Sequence, residues 1–171
     1  RRELLRSLWG HAVATALAAK QIARLTSGDR EESFVAGLLH DAGKLVVLKA
    51  VDHLEKSQKI VSLTPAVVDE LMEVLHTELG HQILVSWHLP DPVCEAALHH
   101  HDHDLDSADT LVMRVQAADA IARKMGEHPK PDPQLNLLEL ASIEHLNLSD
   151  IELASLMVDL EDQIAEIRKL L

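Results

Sequence analysis

The sequence predicts an all-α protein. Apolar residues recur at three- and four-residue steps, no run shows convincing period-two alternation, and glycines, prolines and capping residues fall at helix-length intervals. Leu4, Leu8, Ala12 and Ala19 place a first helix over residues 3–26, stopped by Gly28 and Asp29. Asp29 caps a short second helix, EESFVAGLL, which ends at His40-Asp41, and Gly37 and Gly43 bracket that pair with closely packed backbone. A third helix begins near Gly43 and carries LVVLKAV. Thr64 followed by Pro65 is an N-cap with proline at the first helical position. Val67, Val68, Leu71, Met72, Leu75 and Leu79 then form a stripe. Gly80 is expected to break or bend that helix, leaving HQILVSWH as a separate short one closed by LPDP. Asp91-Pro92 opens VCEAALHHH, and Asp106 to Ser107 are expected to cap a longer helix running through Lys124. Residues 126–134, GEHPKPDPQ, read as a loop. Two helices follow, the last over 149–171 with a Ser149 cap and a stripe of Ile151, Leu153, Leu156, Met157, Leu160, Ile164 and Ile167.

The 171 residues suit one domain, and a helical pattern that starts at once from Arg1 reads as a piece of a longer chain. A formal charge of −12 argues against a broad basic face, so no DNA partner is expected. No apolar run approaches the roughly 18 residues that span a bilayer, and the one cysteine, Cys94, fits a reducing compartment, so the expected location is cytoplasmic and off the membrane.

The chemistry sits in the histidines, 12 in all. His11 shares a helical line with Leu4, Leu8, Thr15 and Ile22, and His76 shares one with Val68, Met72 and Leu79, so both face inward. Asp119 lies on the stripe of Val112, Val115 and Ala122, where a bare carboxylate costs several kcal/mol unless a cation or strong donors meet it. In LHHHDHD each helical residue turns about 100°, so three consecutive histidines cannot meet at one atom. His100 and His101 inherit the apolar face of Val93, Ala96 and Ala97. His99 follows Glu95 on the charged side, and His103 falls past the helix end. Imidazoles with carboxylates suit Fe, Mn, Zn, Ni or Cu, and five His with two Asp are enough for two divalent ions. His81 and His88 are near enough in sequence to support the ligands from behind; His53, His128 and His145 receive no role.

The ordered set of His11, His40-Asp41 followed by Gly43-Lys44, His76, His100-His101 and Asp119 resembles the HD superfamily of metal-dependent phosphohydrolases. FVAGLLHDAGKLVVL, LWGHAVATA and LGHQILVSWHLPDPVCEAALHHHD resemble more closely the HDOD domain of bacterial signalling proteins, a relative of the HD-GYP phosphodiesterases, over residues 8–124. The resemblance implies an HD-like helical bundle around a central metal site, with the helices of 136–171 appended. It implies that His11, His40, Asp41 and Asp119 hold one ion, that Asp41 bridges to a second held by His76, His100 and His101, and that Lys44 meets a phosphate oxygen. Two departures are visible: the N-terminal helical half usual in HDOD proteins is absent from this sequence, and no GYP motif follows HHHDHD. Many HDOD domains have lost part of the metal set and serve as signalling modules without catalysis, whereas this sequence keeps every position.

The expected function is a metal-dependent phosphohydrolase or phosphodiesterase domain in a signalling protein, with Asp41 and Lys44 catalytic. Two divalent ions, iron or manganese ahead of zinc or nickel, activate water against a phosphorylated small molecule or nucleotide. The alternative is a non-catalytic signalling module that keeps the metal site; other signalling domains are expected partners, and a homodimer is possible under either reading. An oxygenase-like use of the same ligands ranks last.

Overall fold

The computed structural model describes residues 1–106 and 108–169, and every regular element among them is helical. The helices are α1 (Arg2–Leu25), α2 (Arg30–Leu39), α3 (Ala42–Lys56), α4 (Pro65–Ser86), α5 (Asp91–His99), α6 (Thr110–Lys124), α7 (Ala141–His145) and α8 (Asp150–Arg168), with a 3₁₀ turn at Leu137–Glu139 before α7. The caps expected at Asp29 and Thr64 are in place, Asp29 accepting from the amides of Glu31 and Glu32 and Thr64 from that of Val67.

Two boundaries differ here from expectation, at Gly80 and at the start of α6. α4 runs unbroken through Gly80, so HQILVS is its end rather than a separate helix, with Trp87 as the C-cap and His88 beyond it. A glycine inside a helix costs about 1 kcal/mol without ending it, and this one lies against Gly43 at a helix crossing. The cap of α6 is Asp109, whose carboxylate accepts from Leu111; Asp106 lies upstream of it, and Ser107 lies outside the described residues. Beyond the loop, the chain forms the 3₁₀ turn and two helices. Ile151 at the start of α8 is 81% exposed, while Leu153, Leu156, Leu160 and Ile164 carry the buried stripe.

With one Phe, two Trp and no Tyr in the chain, the core is built from aliphatic side chains and alanine. Ala14, Ala18 and Ala19 of α1 face Ala117, Ala118 and Ala122 of α6, and small side chains bring the two backbones close. Leu153, Leu156, Leu160 and Ile164 of α8 close that cluster from outside. A second cluster joins α2, α5 and the first turns of α6 to Leu84 of α4, and a third joins Leu8 of α1 to Val47, Leu48 and Val51 of α3 and to Val68 and Met72 of α4. The buried polar residues His11, His40, Asp41, Lys44, His76, His100 and Asp119 come from the same helices that build these clusters.

α8 is fixed at its start by a full capping box, in which Ser149 Oγ accepts from the Glu152 amide and Glu152 accepts from the Ser149 amide. Ser149→Ala is expected to cost about 1 kcal/mol, read as a fall in Tm of about 2–4 °C. An unchanged Tm would show that packing alone orders the helix start.

Candidate metal centre

Local structure delivers each residue of the cluster. His40 is the C-cap of α2 and His100 the C-cap of α5, while His11, His76 and Asp119 sit inside α1, α4 and α6. Asp41 occupies the N-cap position of α3, yet its side chain makes no capping bond, because it turns inward to the histidines. The helix N-terminus beneath it favours the ionised carboxylate.

The ring orientations carry the main chemical information. A carbonyl oxygen can only accept, so a histidine Nδ1 at hydrogen-bond distance from one carries the proton. His11 Nδ1 donates to Glu127 O at 2.8 Å, His40 Nδ1 to Gly37 O at 2.8 Å, His76 Nδ1 to Met72 O at 2.8 Å, and His100 Nδ1 to Ala97 O at 3.0 Å. Each neutral ring therefore turns an Nε2 lone pair inward. His76 Nε2 lies 3.4 Å from His100 Nε2 and 3.1 Å from His101 Nε2, and His11 Nε2 lies 3.1 Å from Asp119 Oδ1. Among the backbone-anchored rings lone pairs face lone pairs, with His101 Nε2–H able to donate to His76, and the buried His11 Nε2 and Asp41 Oδ1 have no hydrogen-bond partner. Such a set is costly unless a cation satisfies it, and backbone-anchored Nδ1–H groups are the usual support of metal-binding imidazoles.

The donor atoms fall into overlapping triads whose members lie within 4.8 Å of one another: His11, His40 and Asp119; His76, His100 and His101; and His40, Asp41 and His100. Asp41 stands between the first two. Its Oδ2 is 3.6 Å from His11 Nε2 and 3.5 Å from His40 Nε2, and its Oδ1 is 3.5 Å from His76 Nε2 and 3.7 Å from His100 Nε2. One carboxylate oxygen thus faces each group. The residues present fit divalent transition-metal binding on their own chemistry.

Every ligand candidate singled out in the sequence is brought into this cluster, with two qualifications. His101 is exposed rather than on the apolar face, because α5 ends at His99 and the 100° step no longer applies beyond the cap; the turn still brings its Nε2 to His76. Lys44 is buried, and its Nζ donates to Asp41 Oδ2 at 2.6 Å. His99 pairs with Glu95 and Asp102, and His103 is exposed, as expected. His81 pairs with the same Glu95, and the exposed His88 sits past the end of α4 at φ 60°; both stand apart from the cluster. The residue that sequence reasoning missed is His128. It sits in the 126–134 loop, where helical periodicity gives no signal, and its ring meets that of His11 edge-on at 4.5 Å between centroids.

Burial drives His40 down to about 3, with the neighbouring Asp41 opposing, and desolvation of the part of each ring that faces the cluster lowers His101 and His128 to about 4. Burial opposes the ionised form of Asp119 and Asp41, yet both are held below the ordinary carboxylate range, Asp119 by His11 whenever that ring takes a second proton, and Asp41 by His40 and His100 in the same way and by the Lys44 ammonium. These shifts give metal-free protein a defined acid sensitivity. At pH 5 an unfolded His40 binds a proton that the folded one refuses, so stability falls as pH drops from about 6.5 toward 3, for His40 by at most about 1.4 kcal/mol per pH unit. The two aspartates, depressed when folded, add a loss below their ordinary range near 4. Urea melts of chelated protein at pH 7 and pH 5 are expected to show the lower midpoint at pH 5; equal midpoints would mean that the rings titrate alike in the folded and unfolded chain.

The model of the HDOD domain family matches residues 1–103, well over half of the chain. This chain belongs to the HDOD family. The match takes in His11, His40, Asp41, Lys44, His76, His100 and His101, and ends before Asp119 and His128. An uncharacterised protein of Treponema pallidum (strain Nichols) is 30% identical over a 150-residue alignment that covers 81% of this chain and 29% of that protein. A crystal structure of an HDOD domain protein of unknown function from Geobacter sulfurreducens superposes with a TM-score of 0.64 at 25% identity, over 95% of this chain and 60% of that one. The MmoQ response regulator of Methylococcus capsulatus (strain Bath) shares the fold, with a TM-score of 0.63 at 22% identity over 90% of this chain and 60% of that one. The HDOD chain described here therefore spans less than two thirds of the length of each. No helix among the described residues is long and apolar enough to cross a membrane.

Proposed function

We propose that this HDOD domain is a metal-dependent phosphoester hydrolase within a signal-transduction protein. The observation that carries the reading is Asp41, with one oxygen toward His11 and His40 and the other toward His76 and His100. His11, His40 and Asp119 would hold one divalent ion and His76, His100 and His101 a second, with Asp41 shared between them; iron or manganese suits the mixed imidazole and carboxylate set, with zinc or nickel next. Ions bound there supply Lewis acidity and lower the pKa of water against the phosphoester. The chain's own contribution is to lower His40, His76 and His101 through burial, to aim Nε2 atoms inward through backbone-anchored Nδ1–H groups, and to keep Asp41 ionised. Lys44 neutralises Asp41 and offers a cation to a phosphoryl oxygen. The exposed edge of His101 gives the cluster a face toward solvent. A phosphorylated small molecule or nucleotide is the substrate class, other domains of the same or a neighbouring signalling protein are the partners, and the protein works in the cytoplasm.

One observation favours a second reading. The Lys44 ammonium already lies 2.6 Å from Asp41 Oδ2, so an internal cation meets part of the need for a metal. That supports a signalling module without turnover, and the likeness in fold to a protein described as a response regulator is in keeping with it.

Metal analysis of protein purified without a His-tag or chelator, followed by assay with bis(p-nitrophenyl) phosphate, separates the two. Stoichiometric metal with nitrophenol release that chelation stops supports the hydrolase. Metal without release supports the module, and absence of metal removes both metal-bound readings.

A further inference from the structure

His100 and His101 ride on a turn rather than inside a helix, and a residue outside the cluster holds that turn. The Asp102 amide donates to His99 O at 3.0 Å and closes a β-turn with His100 and His101 as its two central residues. Gln116 of α6 reaches both ends of it. Its Nε2 lies 2.7 Å from Asp102 O and 3.4 Å from His99 O, the shorter contact being the stronger. Carbonyl oxygens only accept, so the Gln116 atom between them is the amino group, whose two protons serve one carbonyl each.

His101 depends on the turn more than any other ligand candidate does. The rings of His11, His40, His76 and His100 are each fixed by an Nδ1 bonded to a backbone carbonyl. Among the described residues His101 has no such anchor, and its one ring contact by hydrogen-bond geometry is Nε2 to His76 Nε2 at 3.1 Å. The position of its donor atom therefore follows the backbone of the turn. The other side-chain tie across the turn, His99 Nδ1 to Asp102 Oδ2 at 2.6 Å, joins two exposed side chains, and such surface contacts contribute little. Gln116 is half-buried on a rigid support, since Leu111, Val112 and Val115 of the same helix lie in the core. Asp119, a member of the triad with His11 and His40, stands three residues further along α6. One helix thus supplies a ligand candidate to the first triad and holds the turn that brings two to the second.

We propose that Gln116 is a positioning residue for the second ion, holding the His99–Asp102 turn so that the Nε2 atoms of His100 and His101 stay convergent with that of His76. This rests on the two-ion reading for its consequence, while the clamp itself needs no metal. The test compares the wild-type chain with Gln116→Met, which keeps length and helix propensity but has no donor, and Gln116→Glu, which keeps the shape but presents only acceptors. The first readout is manganese affinity by equilibrium dialysis, with each position resolved by anomalous diffraction. In both variants the ion among His76, His100 and His101 is expected to weaken about tenfold, and the ion among His11, His40 and Asp119 to bind as in the wild type. The second readout is amide hydrogen exchange of the metal-free proteins, in which the Asp102 amide is expected to exchange about tenfold faster in the variants while the amides of α1 keep their protection. Equal loss of both ions overturns the proposal, because it would make Gln116 a residue of general stability, and so does unchanged exchange at Asp102. If the wild-type protein takes up no metal while Asp102 exchange accelerates in the variants, the clamp stands and the hydrolase reading falls. If the wild type and both variants bind two ions with the same affinities, the positioning role falls and the hydrolase reading stands.

Discussion

Asp41→Asn is expected to lower divalent-metal affinity by more than about 100-fold, a larger loss than removing a supporting residue causes. The amide keeps the shape of the carboxylate, but it cannot place an anionic oxygen toward both His11/His40 and His76/His100. It also strands Lys44, which is buried and has Asp41 as its carboxylate partner. Removing one partner of a buried pair typically costs about 3–5 kcal/mol. Stability and metal affinity must therefore be separated. Adding Lys44→Met to Asp41→Asn removes the orphaned charge, so the double variant is expected to regain most of the stability and none of the metal affinity. Equilibrium dialysis with manganese and a urea melt on both variants read the two effects. His103→Ala, an exposed change in the same histidine-rich stretch as His100 and His101, is expected to leave metal affinity intact. Equal loss in His103→Ala and Asp41→Asn would refute the sorting of the histidines by helical geometry.

Gly43→Ala is expected to be the most disruptive single methyl in the protein. A Cβ there would collide with the His76 carbonyl oxygen and lie 2.7 Å from Gly80 N, both of them backbone atoms that cannot swing aside. The start of α3 would have to lift off α4, at a cost of about 2–3 kcal/mol as for other overpacked sites. The same movement carries Asp41 away from His76, so metal affinity is expected to fall along with stability. Gly80→Ala serves as the contrast. A Cβ at Gly80 meets nothing closer than Gly43 N at 3.4 Å, an ordinary contact, and alanine is about 1 kcal/mol better than glycine inside a helix. That variant is expected to be neutral or stabilising in thermal melts. Equal destabilisation by the two would mean that the crossing is symmetric and that Gly43 holds no special place in the site.

These two glycines show how far the sequence was legible. Helical periodicity and caps located α1 to α5 and sorted inward from outward histidines, because burial on a helix follows a fixed 3.6-residue period. Gly80 was misread as a break, since a glycine that ends a helix and one that admits a neighbouring backbone look alike until the neighbour is in place. The apolar face was carried one residue too far at His101, because the C-cap at His100 ends the helical rotation. Asp106 reads from sequence as part of the α6 cap ahead of Asp109, as any Asp near a helix start can serve. His11, His40, Asp41, His76, His100, His101 and Asp119 were found on buried faces or through the family motif. His128 was not, because a loop has no period and its ring is placed by a turn with Lys130 and by pairs with α4 and α8 that only the folded chain creates.

The measurement that bears most directly on the central claim is anomalous diffraction at the metal edge from crystals of protein grown without chelator. Two peaks are expected, one among the residues that would hold the first ion, His11, His40 and Asp119, and one among His76, His100 and His101, which would hold the second. Diffraction with no peak inside the cluster, or with metal only on the exposed His99 and His103, would contradict it.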